Sequence, residues 1–503
     1  MSEVTIRNLE LFNHESMKKR IIFPMFLISL IGFICNSQTS QSPNIIIMMA
    51  DDLGYGDLGC FGNQIIETPN IDQLARDGAK FTQFYSGHYT CSPSRAGMMT
   101  GRTPYRNGIY TYITDNSVVH LKDKEVTLAE ICKKQGYDTG FFGKWGLNGN
   151  MDDKTQPTPS QQGFDSWLAT NNNAKPSHKN PINFYFNGKA MAEMKGYSSQ
   201  IVVDKALQWL GSRKDKRKPF LLVLWFHEPH TKLAQPDKFT QKYAKYGKIA
   251  GEYYANIDHM DHQIGRFLDY VKKENLMDNS WITFTSDNGP LNREGRSTNG
   301  LKGYKARLYE GGLRVPTVMY WKGKIQGAKV FDKQLTFFDF VPTFYDLLGM
   351  EPMNNGPLDG ASMLPALKGK KVERKTLPIW VGRWKTTLIN NEWKIIGKFE
   401  NFVPGTSYND YLINRKIVGY ELFNLKKDPY ETQDLSKADI DKLKEMKLLI
   451  EDRVRSVQKE IVPWNGKWVL PYEVVKYYNP NVPPYSEFSK LSPKEQDLMK
   501  SKQ

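Results

Sequence analysis

Two pairs of oxygen-bearing side chains stand where apolar segments of the sequence stop. Asp51 and Asp52 follow one apolar run, and Asp287 and Asn288 follow another. Each pair alone is typical of a turn. Three carboxylates that converged without a cation would repel one another, and a set of oxygen ligands suits calcium or magnesium. The two pairs together therefore predict a site for a hard divalent cation.

Other chemically active groups occupy similar positions. Lys144 ends one apolar segment, and His227 and His230 come directly after another. Cys91 lies just before a helical pattern that begins at Ser94, where a structural thiol would be the ordinary interpretation. A cation or an imidazole beside a metal can bind an anion or transfer a proton. These groups are therefore candidates for one catalytic site.

The elements that must position these groups alternate along the chain. Their order implies a mainly parallel sheet, in which ligands bind at the carboxyl ends of the strands. We predict an α/β fold with a large mixed, mainly parallel sheet flanked by helices. The predicted strands are Asn44–Ala50, Thr139–Gly143, Phe220–Phe226 and Trp281–Ser286. The predicted helices between them include Ile71–Gly78, Thr127–Gly136, Ser199–Leu210 and Tyr253–Asn275.

The pattern changes after about Gly369, where a lysine-rich link leads into shorter segments. We predict a smaller domain here, with an antiparallel sheet, a helix and a proline- and tyrosine-rich tail that wraps the protein. The predicted domains are therefore residues 43–370 and 371–503. The strands are expected at Ile379–Val381, Trp393–Gly397 and Gly419–Phe423, the helix at Ser436–Gln458, and the tail from Val462.

The segment around Cys91 resembles a known signature. Cys91-Ser92-Pro93-Ser94-Arg95, followed by Thr100-Gly101-Arg102, is similar to the motif of the type I sulfatases of the alkaline phosphatase superfamily. The resemblance extends over roughly residues 43 to 437. Further matching segments are Gly163-Phe164-Asp165, Glu310 to Pro316, Asp359 to Ser362 and Glu421 to Leu425.

The resemblance implies a sulfuric ester hydrolase whose cysteine is oxidised to formylglycine by a formylglycine-generating or anaerobic maturation enzyme. One hydroxyl of the hydrated aldehyde attacks sulfur, and re-formation of the aldehyde expels sulfate. The family's metal motifs imply one calcium ion, with Cys91 itself and the two oxygen-bearing pairs as its ligands. These ligands are Asp51, Asp52, Cys91, Asp287 and Asn288.

The family pattern also assigns the cationic groups of this site. Arg95, Lys144 and Lys305 would bind the nucleophile and the sulfate, and His230 would donate a proton to the leaving alcohol. Lys305 is chosen over Lys302 because the family spacing counts back from the Tyr309 to Gly312 segment. We interpret Lys302 as a solvated side chain.

One position departs from the family pattern. The family usually reads Gly-Lys-Trp-His, whereas this chain has Gly146 in place of the histidine. Glycine cannot accept the proton that must leave when the aldehyde is regenerated. The step therefore falls to another group or to water, or it is slow. The candidate groups are His88, His120 and His178, of which we favour His178 because it lies where the family builds its substrate loops.

The net charge and one stretch of the sequence narrow the class of substrate. The chain has 503 residues and a formal charge of +15, which suggests an anionic partner, but it contains no nucleic-acid reader motif. The stretch from Trp167 to Gly188 resembles bacterial sulfatases that act on polysaccharides. We therefore expect a sulfated glycan of galactose or N-acetylgalactosamine type. The alternatives are a phosphate or phosphonate monoester hydrolase, and an inactive glycan-binding protein, which Gly146 suggests.

The amino end predicts export. Lys18, Lys19 and Arg20 precede an apolar run from Ile21 to Ile34, which is typical of a signal peptide over residues 1–37, with Met17 as an alternative start. We expect a secreted or periplasmic protein without a stable membrane span. Cys35 as a lipid-modified residue is the alternative. Of the other cysteines, Cys60 and Cys132 either pair with each other or are buried as small apolar side chains.

Overall fold

The computed structural model describes residues 42–353, 356–374, 378–401 and 408–464. The predicted signal peptide and most of the predicted tail lie outside these residues. Within the described ranges, no helix combines the length and apolar character needed to cross a membrane.

Sixteen strands lie within the described ranges. In chain order they are β1 (Asn44–Ala50), β2 (Ala79–Phe81), β3 (Phe84–Tyr85), β4 (Asp138–Lys144), β5 (Ser166–Thr170), β6 (Tyr185–Phe186), β7 (Lys189–Ala190), β8 (Phe220–Trp225), β9 (Ser280–Ser286), β10 (Thr317–Trp321), β11 (Lys329–Phe331), β12 (Leu335–Thr336), β13 (Ile379–Val381), β14 (Lys385–Asn390), β15 (Trp393–Phe399) and β16 (Ile417–Asn424).

The α-helices within the described residues are between one and seven turns long. They are α1 (Pro69–Asp77), α2 (Cys91–Thr100), α3 (Pro104–Asn107), α4 (Leu128–Lys134), α5 (Ser198–Ser212), α6 (Asp237–Lys242), α7 (Lys248–Lys273), α8 (Glu310–Leu313), α9 (Phe340–Leu348), α10 (Leu364–Leu367), α11 (Tyr408–Asn414) and α12 (Ile440–Gln458).

The main sheet has ten strands in the order β11-β2-β10-β9-β1-β8-β4-β5-β6-β7. Its centre is parallel, because β1 pairs in parallel with both β8 and β9, and β4 pairs in parallel with β5 and β8. Antiparallel pairs occur where β10 joins β9 and β2, and at the β5 to β7 edge. The prediction of a large mixed, mainly parallel sheet flanked by helices is confirmed.

The central strand β1 is buried along its whole length, as expected for a parallel strand covered on both faces. Its alternate side chains enter two different cores. Ile45, Ile47 and Met49 pack in the core that also holds residues of α2, α4 and α9. The intervening side chains of β1 pack with residues of α1, α5 and α7. The two cores hold the sheet rigid, and its strand ends can therefore position a site.

The second sheet is small and antiparallel, in the order β13-β14-β15-β16. One of its faces packs on α12, where Leu388 and Ile395 meet Ile450 and Val454. The sequence prediction of an antiparallel sheet plus a helix is confirmed, although it omitted β14. The omission is understandable because Lys385–Asn390 contains two adjacent threonines and a charged end, and hence has only a short apolar stretch.

Candidate active site at the carboxyl ends of the strands

The two predicted metal-binding pairs lie side by side because β1 and β9 are neighbouring parallel strands. Ala50 is in register with Ser286, and the residues that follow each strand therefore meet at one edge. The backbone N–H of Asp52 donates to Oδ1 of Asp287 at 3.1 Å, and Nδ2 of Asn288 donates to Oδ1 of Asp52 at 2.7 Å. The structure thus brings these side chains together.

Each carboxylate of this edge has a cationic partner from a different part of the chain. Nζ of Lys144 at the end of β4 lies 2.6 Å from Oδ2 of Asp51. Nε and Nη2 of Arg95, on α2, donate to Oδ2 of Asp287 at 3.0 and 2.8 Å. Nζ of Lys305 lies 2.6 Å from Oδ1 of Asp52.

His230 completes this group of charged side chains. Its Nε2 lies 3.5 Å from Oδ2 of Asp52, and its Nδ1 lies 2.8 Å from the carbonyl oxygen of Thr231. The Nδ1 contact with a carbonyl oxygen assigns the proton to that nitrogen. Burial and the charge of Lys305 lower the pKa of His230, while Asp52 opposes this shift.

The carboxylates of the site have very different proton affinities. Burial alone would raise the pKa of Asp51, but Lys144, His230 and Arg95 outweigh burial and hold that pKa well below its usual range. Burial and the nearby charge of Asp51 raise the pKa of Asp287 to about 7, although Arg95 opposes this. Asp287 therefore holds a proton more readily than Asp51, although both carboxylates lie at the same strand edge.

Two buried oxygen atoms of the predicted metal-binding pairs have no hydrogen-bond donor among the described residues. They are Oδ1 of Asp51 and Oδ1 of Asn288, and both lie at the shared strand edge. An unpaired buried oxygen is unfavourable unless a ligand satisfies it. Asp51, Asp52 and His230 can also present ligand atoms within 4.8 Å of one another. An oxygen-rich set with unsatisfied acceptors fits a calcium ion.

Cys91 is the first residue of α2, which begins three residues earlier than predicted. Thr90 has the extended backbone of a helix N-cap, with φ −139° and ψ 156°, so the helix begins directly after it. Cys91 is 4% exposed, and it lies near enough to Arg95 and Lys305 to be one of the causes that raise the pKa of each. In addition, Oγ of Ser94 donates to the carbonyl oxygen of Asp287 at 2.5 Å. These contacts connect the start of α2 to the strand edge.

Asn173 is a contact of the site that the sequence interpretation did not assign. Its Oδ1 accepts from Nζ of Lys144 at 3.0 Å, opposite the contact of that ammonium with Asp51. The sequence carried a weak signal, because Asn173 belongs to the stretch that resembles polysaccharide sulfatases. A single asparagine in a loop gives no further indication of a contact with Lys144.

The backbone at Gly146 explains why glycine fits there. Its φ is +69°, and a Cβ atom would lie 3.2 Å from Cδ of Arg95. A histidine in this backbone would adopt the left-handed region and crowd Arg95. The position therefore adjoins the site, although it supplies no titratable group.

His178 lies in a buried polar network beside the site. Its Nδ1 is 3.4 Å from Nδ2 of Asn256 and 3.8 Å from Oε1 of Glu228. The backbone N–H of Asp51 donates to the carbonyl oxygen of Glu228 at 2.8 Å, which links this network to the strand edge. Burial lowers the pKa of His178. Its described contacts do not include Cys91.

The other two candidate bases are placed differently. His88 is buried two residues from Thr90, with Nδ1 2.9 Å from Oγ1 of that threonine, and burial lowers the pKa of His88 to about 3. His120 packs its ring on Trp464 at 5.0 Å, and its described contacts include no residue of the site. Of these two, only His88 adjoins the segment that carries Cys91.

The remaining sequence expectations concern lysines and cysteines. Lys302 is exposed, with its ammonium on the carbonyl oxygen of Glu431, whereas Lys305 contacts Asp52. Cys60 and Cys132 are unpaired, so the disulfide alternative is wrong for this structure. Cys132 is buried, as the other alternative stated, and Cys60 is only partly buried.

Comparison with known proteins identifies the family. The family model described as "Sulfatase" matches residues 43–350, and the one described as "N-sulphoglucosamine sulphohydrolase, C-terminal" matches residues 303–460. The chain belongs to the sulfatase family. It is therefore a sulfuric ester hydrolase, as the resemblance implied.

Individual relatives of this sulfatase cover most of its length. N-acetylgalactosamine-6-sulfatase of Homo sapiens is 30% identical over 78% of each chain. The uncharacterized sulfatase YdeN of Escherichia coli strain K12 is 32% identical over 66% of this chain and 67% of its own. The structure of Ps i-CgsB matches with a TM-score of 0.76 and 27% identity, covering 89% of this chain and 99% of its own.

The phosphonate monoester hydrolase of Agrobacterium radiobacter also matches in structure. Its identity to this sulfatase is 17% and the TM-score is 0.60, so the likeness shows a shared fold alone.

Proposed function

We propose that this sulfatase removes sulfate from a sulfated glycan of galactose or N-acetylgalactosamine type, using a formylglycine made from Cys91 and one calcium ion. The observation that carries the proposal is the meeting of Cys91, three carboxylates and four basic side chains at one strand edge. The name of the human relative and a structure of Ps i-CgsB in complex with k-i-k-neocarrahexaose support a sugar substrate.

Asp51, Asp52, Asp287 and Asn288 would hold the calcium ion together with the oxidised side chain of residue 91. The unsatisfied oxygens of Asp51 and Asn288 support this assignment. Calcium would supply positive charge beside the carboxylates and the sulfate group. Formylglycine would supply a hydrated aldehyde, in which one hydroxyl attacks sulfur and the other later loses its proton to release sulfate.

Lys144 and Lys305 would bind the sulfate oxygens. An ammonium group has three N–H donors, and Lys144 uses two of them on Asp51 and Asn173. The third donor remains for an anion. Lys305 would bind the sulfate from its position beside the other carboxylate, Asp52. Both cations would stabilise the negative charge that grows as the sulfur–oxygen bond breaks.

Arg95 would fix the geometry of the nucleophile. It holds Asp287 through two hydrogen bonds and the carbonyl oxygen of Lys144 through a third, at 2.9 Å. Because Arg95 and Cys91 share one turn of α2, this clamp orients residue 91 against the strand edge. A doubly hydrogen-bonded guanidinium keeps that orientation better than a single contact would.

His230 would act in its doubly protonated form, donating the Nε2 proton to the leaving alcohol while the Thr231 carbonyl oxygen accepts from its Nδ1. His178 would accept the proton released when the aldehyde is regenerated. Because His178 has no described contact with Cys91, this proton would pass through an intervening group. Burial keeps the imidazole of His178 neutral and therefore able to accept a proton.

The assignment of His178 predicts a particular kinetic defect. With His178→Ala, the first turnover should release desulfated sugar at the wild-type rate, and later turnovers should slow by about tenfold. Rapid-quench kinetics of the matured enzyme would measure the burst. His120→Ala is the matched control and should behave like wild type. Wild-type steady-state kinetics in His178→Ala would move the role to another group.

The main test combines mass spectrometry with sulfate release. The peptide that contains Cys91 should carry the mass of formylglycine, and matured enzyme should release sulfate from galactose or N-acetylgalactosamine sulfates. Cys91→Ala should abolish release. Sulfate release that survives this substitution would refute the nucleophile, and faster hydrolysis of phosphate monoesters than of any sulfate ester would refute the proposed substrate class.

We also propose that the protein is exported and matured by a formylglycine-generating or anaerobic maturation enzyme. The support for export is the basic-then-apolar pattern between Lys18 and Ile34.

A further inference from the structure

A buried ion triad lies outside the candidate active site, between the small sheet and the main body. Nζ of Lys394 on β15 is 2.9 Å from Oε1 of Glu310 and 2.8 Å from Oε1 of Glu431. Side chains of all three residues are inaccessible to solvent. We call this group the Lys394 triad. Nothing in the proposed reaction uses it directly.

The Lys394 triad holds both ends of the segment that carries Lys305. At one end, the backbone N–H of Glu310 donates to Oε2 of Glu431 at 2.7 Å. At the other end, Nζ of Lys302 donates to the carbonyl oxygen of Glu431 at 2.9 Å. Glu431 therefore forms hydrogen bonds with both ends of the segment, at residues 302 and 310.

The segment itself is closed and packs on the metal-binding turn. The N–H of Gly311 donates to the carbonyl oxygen of Lys302 at 2.8 Å, which closes the loop. Lys305 donates its backbone N–H to the carbonyl oxygen of Pro290 at 2.8 Å, and Gly289 donates to that of Gly312 at 3.1 Å. Since Gly289 and Pro290 follow Asn288, a shift of this segment would move both Lys305 and Asn288.

Close backbone contacts make that connection stiff. A Cβ atom at Gly289 would lie 1.9 Å from the carbonyl oxygen of Gly311, and one at Gly311 would lie 2.3 Å from that of Gly303. Neither contact leaves space for a side chain. The segment and the turn after Asn288 must therefore move together.

The presence of such a triad is not well explained by its net contribution to the free energy of unfolding. Removing three charged groups from water is unfavourable, and apolar side chains of the same volume often stabilise a protein equally well or better. Burial and the charge of Glu310 raise the pKa of Glu431 to about 7, which Lys394 opposes, so the two carboxylates compete for one ammonium. The triad does, however, restrict the position of each member.

We propose that Lys394 is a positioning residue for the catalytic centre, which acts through Glu310 and Glu431 to hold Lys305 and the turn after Asn288 in place. This inference rests on the proposed binding of sulfate by Lys305. It makes the small sheet part of the catalytic apparatus, although that sheet contributes no group to the reaction.

The test compares Lys394→Met with Arg453→Met. Arg453 belongs to another buried ion triad, with Arg106 and Asp359, whose described ion pairs include none of the active-site residues named above. The readouts are kcat/KM for the sulfated sugar and the inhibition constant of inorganic sulfate. Both are referred to the fraction of Cys91 that mass spectrometry finds oxidised, so that incomplete maturation does not affect them.

For Lys394→Met we expect kcat/KM to fall by about 10- to 100-fold and the inhibition constant of sulfate to rise by about fivefold or more. Arg453→Met should lose stability but stay within about twofold of wild type in both readouts. Wild-type kinetics in Lys394→Met, or equal losses in the two variants, would overturn the proposal. If Lys394→Met does not fold, Glu431→Gln is tested instead, and the same losses are expected. This variant removes the charge that pairs with Lys394 but keeps an oxygen acceptor for the backbone N–H of Glu310.

Lys305→Met separates this inference from the proposed function. If Lys305→Met lowers kcat/KM and weakens sulfate binding while Lys394→Met does neither, only the positioning role fails. If Lys305→Met leaves both values at the wild-type level, the proposed role of Lys305 fails, and the positioning role fails with it.

Discussion

The catalytic centre and the Arg453 triad both bury charged side chains, but they differ in how completely those charges are satisfied. In the Arg453 triad, Oδ1 of Asp359 accepts from Arg453 at 2.7 Å, and Oδ2 accepts from Arg106 at 3.1 Å and from the N–H of Thr103 at 2.8 Å. In the catalytic centre, Oδ1 of Asp51 has no donor among the described residues.

The difference distinguishes a structural cluster from a functional one. The Arg453 triad supplies donors for both oxygens of its carboxylate, so the chain alone completes it. The catalytic centre has oxygen atoms without a donor among the described residues and an N–H of Lys144 beyond its two described contacts, and can therefore accept a cation and an anion from outside the chain. Burial and charge are common to both regions, whereas only the catalytic centre has a buried carboxylate oxygen without a donor among the described residues.

The largest expected effect is the loss of the metal site. Asp51→Asn should lower kcat at least about 10³-fold, because one hard charged ligand is removed. Calcium should raise the melting temperature of the wild-type protein. At a calcium concentration 100 times the dissociation constant, binding should stabilise the folded state by about 2.7 kcal/mol. The variant should show no such rise in a thermal-shift titration.

The matched control for this prediction is Asp138→Asn. Asp138 begins β4 at the opposite edge of the sheet and pairs with Arg213 at 2.9 Å. This variant should keep both activity and the calcium response. A calcium-dependent melting temperature in Asp51→Asn would contradict the assigned ligand.

The next largest effect concerns the anion-binding cation. Lys144→Met should lower kcat by about 10²- to 10³-fold, because it removes a donor aimed at developing negative charge. Lys133→Met is the control, because Lys133 forms a lysine–aspartate pair with Asp165 that is about half exposed. Surface pairs of this kind contribute little to stability. Equal kcat values for Lys144→Met and wild type in initial-rate assays would exclude Lys144 from catalysis.

The structural cluster should show the reverse pattern. Asp359→Asn should lower the free energy of unfolding by about 3 kcal/mol, because two buried arginines each lose one charged partner. At 25 °C, kcat and the calcium-dependent shift should equal those of the wild-type protein. Urea unfolding and initial rates measure the two quantities, and a large loss of kcat in the folded variant would remove the distinction between the two clusters.

The smallest expected effect concerns a buried carboxylate without a cationic partner. Asp261 accepts N–H donors from Asn70 and Ile71, at 3.1 and 2.8 Å, but burial raises its pKa to about 7. Its ionised form is thus disfavoured in the folded state, and this contribution to the free energy of unfolding falls as pH rises from about 4 to about 7.

Asp261→Asn should remove that pH dependence. Between pH 5 and pH 8 we expect the free energy of unfolding of the wild-type protein to fall, relative to the variant, by at least about 1 kcal/mol. Urea titrations of both proteins at the two pH values provide the measurement. Parallel pH profiles would show that the carboxylate of Asp261 is as acidic when folded as when unfolded.

Much of the fold followed from local patterns. The strand from Asn44 to Ala50 was predicted with its observed bounds. The strand ending at Lys144 differed by one residue at each end, and the strand ending at Ser286 differed by one residue at its start. Continuous apolar runs are a strong signal for buried parallel strands. The start of α2 at Cys91 was missed, because Thr90 and Ser94 are both residue types that favour the helix N-cap and the local sequence does not decide between them.

The contacts that support the site from behind the metal-binding residues could be predicted less well from the sequence. Asn173, the His178 network and the Lys394 triad depend on contacts between residues far apart in the chain, such as Glu310 with Glu431. No local periodicity records such pairs. The free thiols of Cys60 and Cys132 are a similar case, because only the distance between two segments decides whether a disulfide can form.

By itself, the sequence determined the kind of site: a cysteine near the start of a helix, two pairs of oxygen-bearing side chains after strands, and the basic residues expected to bind sulfate. The tertiary structure decided which cation meets which carboxylate, pairing Lys144 with Asp51, Lys305 with Asp52 and Arg95 with Asp287. It also decided which oxygens remain unsatisfied. The physical reason is that residue types and strand ends are local properties, whereas pairing and desolvation arise only when distant strands share one edge of a sheet.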